Sequence, residues 1–128
     1  MAEINNGRIK NFQDISCWQE AHDIALSIYQ LTLKFPEDEK FALTNQMRRA
    51  AVSIASNIAE GFSRHTKNDK IHFYNIAQGS LTELHNQLIF SKDLGYIDSK
   101  QYDLIIPRIE LEGKLLFGFI KGAEKLAR

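Results

Sequence analysis

Apolar residues recur every three or four positions along nearly the whole chain, the spacing of helix faces rather than of strands. Trp18, Ala21, Ala25, Ile28, Thr32 and Phe35 form one such stripe, and Cys17, Ile24 and Leu31 widen it. Ser16 stands where an N-cap is expected, with Gln19 as its capping-box partner. Pro36 ends this first helix, because it has no N–H to donate and restricts Phe35. A second stripe runs through Leu43, Met47, Ala50, Ile54 and Ile58. Its helix starts between Glu37 and Thr44 and reaches about Arg64. Glu37, Asp38 and Glu39 would suit the positive end of a helix dipole there, and Thr44 offers an alternative cap. Thr66 and Asp69 mark a third start, followed by Ile71, Tyr74, Ala77, Leu81, Leu84 and Leu88. Gly95, with Tyr96 and Ile97 behind it, ends that helix in a Schellman-like order. The fourth helix starts at Asp98 or Ser99 and carries Tyr102, Ile105, Ile109, Leu116, Ile120 and Ala123. Pro107 falls inside it, and because the stripe keeps its phase a kink is expected rather than a break.

The connections are short, which makes successive helices antiparallel neighbours. The expected fold is an all-α, antiparallel up-down-up-down four-helix bundle with a kinked fourth helix. It would occupy residues 13–128 as one domain, behind a frayed polar segment at residues 1–12.

Composition narrows the function classes. The 128 residues suit one domain, and 44% apolar with 25% charged is an ordinary globular mix. A single cysteine excludes a disulfide within the chain and any zinc site built from cysteines alone. No apolar run approaches the roughly 18 residues of a membrane span, and MAEINNGRIK has no apolar leader. A soluble, cytoplasmic protein without membrane contact is expected. Net charge is zero, whereas dedicated nucleic-acid binders usually run basic. The charge is nevertheless segregated: residues 1–40 sum to −3, 41–70 to +3, 71–112 to −3 and 113–128 to +3. Neighbouring antiparallel elements of opposite sign would attract one another.

Familiar catalytic patterns are missing. Bundles that hold two metal ions use Glu-x-x-His pairs, and the chain has none; Asp69-x-x-His72 comes nearest. His22, His65, His72 and His85 lack the spacing that places two zinc ligands on one helix face. Cys17 falls at a helix start, where a thiolate is stabilised, but reads better as a small buried thiol beside Trp18. Neither a phosphate-binding loop nor a dinucleotide fingerprint occurs. No enzymatic activity, cofactor or metal is expected.

The second helix is unusual instead. Between Ala50 and Ala59 it has almost no charged residues, and Ala50, Ala51, Ser53, Ala55, Ser56, Ala59 and Gly61 wrap most of its circumference. Small residues let backbones approach, so this helix is expected to be covered both by the bundle and by a second subunit. A polar row of Gln46, Arg49, Ser53, Asn57 and Glu60 runs along it, facing Gln78, Ser80, Glu83 and Gln87 of the third helix. Arg49 and Glu83 are candidates for a partly buried ion pair that sets register. Gly79, mid-helix, should cost about 1 kcal/mol against alanine and calls for close approach of another helix. Two basic sets are candidate phosphate contacts. Arg48, Arg64, Lys67 and Lys70 bracket the second helix, and Lys114, Lys121, Lys125 and Arg128 share a face of the last.

Three segments carry a family likeness. The first helix opens Phe12-x-Asp14-x-x-x-Trp18-Gln19-x-Ala21. The second reads Leu43-Thr44-x-Gln46-x-Arg48-Arg49-Ala50-Ala51-x-Ser53-Ile54-x-Ser56-Asn57-Ile58-Ala59-Glu60-Gly61. The third has Phe73-x-x-x-Ala77-x-Gly79-Ser80-x-x-Glu83-Leu84 and closes on Leu94-Gly95-Tyr96-Ile97. The chain resembles the bacterial four-helix-bundle proteins encoded in intervening sequences of 23S ribosomal RNA genes, often labelled the S23 ribosomal protein family. The resemblance implies an antiparallel bundle, assembly into ring-like homopentamers, and a role on RNA or ribosomes that is poorly established. A related bundle is an accessory to reverse transcriptases and is strongly basic, a feature this chain lacks. The motif positions carried over are Gln46, Arg49, Ser53, Asn57, Glu60, Gly61, Gly79, Ser80 and Glu83. Two readings follow: an RNA-associated homo-oligomer, or a scaffold that binds a reverse transcriptase or another nucleic-acid enzyme.

Overall fold

The computed structural model describes residues 9–126. A 3-10 turn at Phe12–Asp14 leads into α1 (Ser16–Thr32). A second 3-10 turn at Glu37–Glu39 leads into α2 (Leu43–Ser63), followed by α3 (Lys67–Asp93) and α4 (Ser99–Lys125). Most of the expected frayed segment lies outside the described residues. Its last residues are tied down: Asn11 caps the first turn, and the Lys10 and Asn11 N–H groups donate to Asp14. These bonds to the charged form hold the Asp14 carboxyl below its usual value.

α2 runs antiparallel to α3, and α3 to α4, as their contacts show. Met47, Ser53 and Gly61 along α2 meet Ser91, Ser80 and Tyr74 of α3 in descending order. Lys92, Leu81, Tyr74 and Lys67 of α3 likewise meet Tyr102, Gly113, Phe119 and Glu124 of α4. The core between them is built from Ile24, Ile28, Met47, Ile54, Ile58, Leu84, Leu88 and Leu116, with Tyr74 and Phe119 in edge contact. Each is a stripe residue whose burial removes apolar area from water, or lies beside one.

Two helix starts differ from expectation. Ser16 is the first residue of α1 and not its cap; Ile15 holds the cap position with no side-chain bond. Ile15 is buried, and this anchor fixes where the chain turns helical. Gln19 reaches back to the Gln13 carbonyl instead. At α2 the acidic run forms its own turn, and Glu39 accepts from the Leu43 N–H. Thr44 is buried one residue inside α2, its hydroxyl unpartnered. The later boundaries match expectation. Thr66 accepts from the Asp69 N–H, and Asp98 and Gln101 form a reciprocal capping box. Gly95, at φ 82°, ends α3 in a Schellman motif, with Tyr96 N–H on the Ser91 carbonyl and Gly95 N–H on that of Lys92. α4 continues as one helix through Pro107.

Candidate functional site

The polar row of α2 meets α3 in a seam. Ser53 and Ser80 share a hydroxyl–hydroxyl hydrogen bond of 2.9 Å. The Asn57 amide donates to both the Ser53 carbonyl, at 2.8 Å, and the Ser53 hydroxyl, at 2.9 Å. Beyond this network the seam opens into a cleft of about 240 Å³ lined by Gln46, Arg49, Ala50, Ser53, Ser80 and Glu83. Arg49 and Glu83 face this cleft together but do not close into the expected ion pair. Both are exposed, so water solvates each charge and direct pairing gains little. Glu83 instead accepts a long 3.4 Å bond from Gln87. Gln46 and Glu83 also border a larger hollow of about 430 Å³ toward Phe90 and Leu94.

The remaining motif positions are separate from the seam. Glu60 pairs with Arg64 at 2.6 Å across one exposed helical turn. Gly61 is an α2–α3 contact within the chain: an added Cβ would lie 2.5 Å from Tyr74 Cε1 and 3.0 Å from the Lys70 carbonyl. Gly79 is the reverse case. Nothing lies within 4 Å of where its Cβ would be, so the close helix expected there is absent from the described residues of this chain.

The first basic set has intramolecular partners. Arg48 stacks on Tyr29, donates from Nε to Thr32 at 2.9 Å and also reaches the Tyr29 carbonyl at the end of α1. Lys70 donates to the Phe62 carbonyl at the end of α2, at 2.8 Å, and burial lowers its pKa. Lys67 donates to the Glu124 and Leu126 carbonyls at the end of α4. These cations satisfy carbonyls that a helix C-terminus leaves unpaired. Arg64 lies over Phe73 besides pairing with Glu60. In the second set Lys114 and Lys125 are exposed, and Lys121 lies over Phe117 and 3.4 Å from Glu124. Arg128 falls outside the described residues.

One residue was not anticipated. Glu112 is fully buried, and both carboxyl oxygens lack a partner. Burial, with Glu20 adding to it, pushes its pKa up to about 8. The sequence signal was a gap: Glu112 keeps phase between Ile109 and Leu116 on the apolar stripe of α4. Burial, with Glu112 nearby, pushes the Cys17 thiol up to about 12, so it stays protonated at neutral pH rather than forming a helix-start thiolate. Among the described residues no group of three or more His, Cys, Asp or Glu side chains could hold a metal ion. No helix there is long and apolar enough to cross a membrane.

The α1–α2 face carries a different feature, an apolar hollow of about 400 Å³. Trp18, Leu26, Tyr29, Val52, Ala55 and Ala59 line it, with His22 stacked on Trp18.

Fold and seam together define an all-α four-helix bundle whose second helix joins a polar cleft on one side to an apolar hollow on the other. The description 23S rRNA-intervening sequence protein matches residues 13–118, and the chain belongs to that family. It is similar to a crystal structure from Bacteroides thetaiotaomicron of a protein of unknown function from the S23 ribosomal protein family. The two share 27% identity over 82% of this chain and 98% of that one, with a TM-score of 0.73. No curated protein matches the chain.

Proposed function

We propose that the protein is a non-enzymatic, cytoplasmic homo-oligomer that associates with RNA, five copies forming the ring that its family likeness implies. The carrying observation is the apolar hollow on α1 and α2, where Leu26 is 55% and Val52 41% exposed beside the small residues Ala55 and Ala59. Exposed apolar surface with a smooth small-residue floor suits a second copy of the same helices. Assembly would also multiply the exposed lysines of α4, so a chain of zero net charge could still present basic arcs. Lys114, Lys121 and Lys125 are the phosphate contacts this reading favours, together with the exposed Arg64. Arg48, Lys67 and Lys70 contribute less, since each already serves a helix end.

That same commitment, with zero net charge, favours a second reading: a scaffold for a reverse transcriptase or another nucleic-acid enzyme. One titration separates the two. A structured ribosomal RNA hairpin is titrated at about 50 and about 200 mM salt, the range over which phosphate contacts weaken strongly. Binding tighter than the non-specific range of about 10⁻⁴–10⁻⁶ M, with a salt slope flattened by changing Lys114, Lys121 and Lys125 to Ala, supports RNA association. Absence of binding at the lower salt leaves the scaffold, which a stoichiometric protein partner recovered without RNA from the native cell would support.

A further inference from the structure

The outer side of α4 is apolar and, among the described residues, uncovered. Leu104, Leu111, Leu115, Gly118 and Gly122 follow one another at spacings of 7, 4, 3 and 4, which keeps them on one side of the helix. Leu104 is 68% and Leu111 46% exposed, and Leu115 is half-buried. Nothing lies within 4 Å of the point where a Cβ would stand on Gly118 or Gly122. Packing within the described chain therefore requires neither glycine, although each weakens the helix that carries it. Leucines followed by bare backbone suit a second helix that comes close at the glycines.

Charge says which helix. Along one edge of the stripe Asp103 and Glu110 occupy the first half of α4, and Lys114, Lys121 and Lys125 the second, all of them exposed. At the other edge Arg108 is bonded to Glu20 and Ser27 of α1. A partner helix must bring cations to the first half and carboxylates to the second. The α4 of another copy, running antiparallel, has that order. A two-fold axis level with Gly113 sets Leu111 against Leu115 and seats Leu104 on the open backbone of Gly122. It brings Asp103 level with the gap between Lys121 and Lys125, and Glu110 within about 3 Å of Lys114 along the axis. The symmetry makes every such contact twice. A parallel pair would set carboxylate on carboxylate and lysine on lysine, which is repulsive. Within the chain Lys121 has only an exposed pairing with Glu124 to give up, and such pairs are weak.

We propose that α4 carries a second self-association surface, on which two copies pair antiparallel about a two-fold axis, with Leu104 on Gly122 and Asp103 between Lys121 and Lys125. This surface is distinct from the α1–α2 hollow. It does not rest on RNA association, which would compete for the same lysines.

Light scattering on the full chain reads the mass, and circular dichroism reads the fold. Leu111→Asp, at an exposed position, should halve the mass and leave the helical spectrum intact. Gly122→Leu should do the same by filling the seat of Leu104. Asp103→Lys should also separate the copies, and adding Lys121→Asp and Lys125→Asp should restore the pair, a rescue that a misfolded variant would not show. Introduced cysteines read the orientation, because the native Cys17 is 1% exposed. In the antiparallel pair the two copies of position 111 lie about 6 Å apart along the axis, and those of position 104 about 27 Å. A short bismaleimide should link Leu111→Cys into dimers and leave Leu104→Cys unlinked. Equal linking of both would mean a parallel pair and overturn the proposal. So would a single-chain mass for the unaltered protein, or failure of the charge-reversed variant to recover its mass. A mass lowered by Val52→Asp but not by Leu111→Asp would keep the hollow as the subunit contact and overturn the pairing on α4.

Discussion

Adding one methyl group at Gly61 would put a carbon 2.5 Å from the Tyr74 ring, with the Lys70 carbonyl 3.0 Å away on the same side. The ring is buried in edge contact with Phe119 and cannot swing clear. Gly61→Ala is therefore expected to destabilise the bundle by about 1–3 kcal/mol, the scale of overpacking, read as a lower denaturant midpoint. Glu112 works through a proton instead. Its folded pKa of about 8 lies above the ordinary 4.5. Between those values the folded chain keeps a proton that the unfolded chain has released, so stability falls as pH rises through that window. The slope is about 1.4 kcal/mol per pH unit at most. Glu112→Gln should flatten the profile and stabilise the protein at pH 8, as melting curves from pH 5 to 9 would show on the scale of one proton. An unchanged profile would mean that Glu112 is hydrated or paired in solution.

At the scale of the helix, the ends are held by two devices. One is local: Thr66 and Asp98 cap their own helices, and Asp98→Ala should cost about 1 kcal/mol. The other is borrowed, because Arg48, Lys70 and Lys67 close the C-termini of α1, α2 and α4 from neighbouring elements. Replacing Lys70 with Met keeps much of the apolar stem over Phe62 but removes the donor, and should loosen the α2 end. The glycine of α3 tests packing. With open space at its Cβ, Gly79→Ala should stabilise the folded chain by about 1 kcal/mol. If it lowers the assembly mass instead, another copy packs on that face.

For the whole molecule the question is which faces are covered. The α1–α2 hollow is apolar and the α2–α3 groove is polar, so α2 presents both. A charge at Val52 falls on the apolar side while the side chain stays partly in water. Val52→Asp should leave the helical circular dichroism spectrum intact and reduce the mass measured by light scattering. A full-size assembly with Asp at this position would move the subunit contact elsewhere.

The sequence by itself determined the four helices, most of their core residues and the last two helix starts. Apolar periodicity and capping chemistry act within a few residues of chain, so they can be read along it. The Ser53, Asn57 and Ser80 network was legible too, since a polar row on one helix predicts a partner row on the next. Tertiary structure decided what depends on distant neighbours. Ile15 took the cap position from Ser16 because its side chain is fixed in the core. Arg49 and Glu83 stayed apart because solvent reaches both. Arg48, Lys67 and Lys70, which read as a basic surface, turned to helix ends, where unpaired carbonyls await a donor. Glu112 entered the core because the phase of α4 leaves it no other direction, and burial then set its proton.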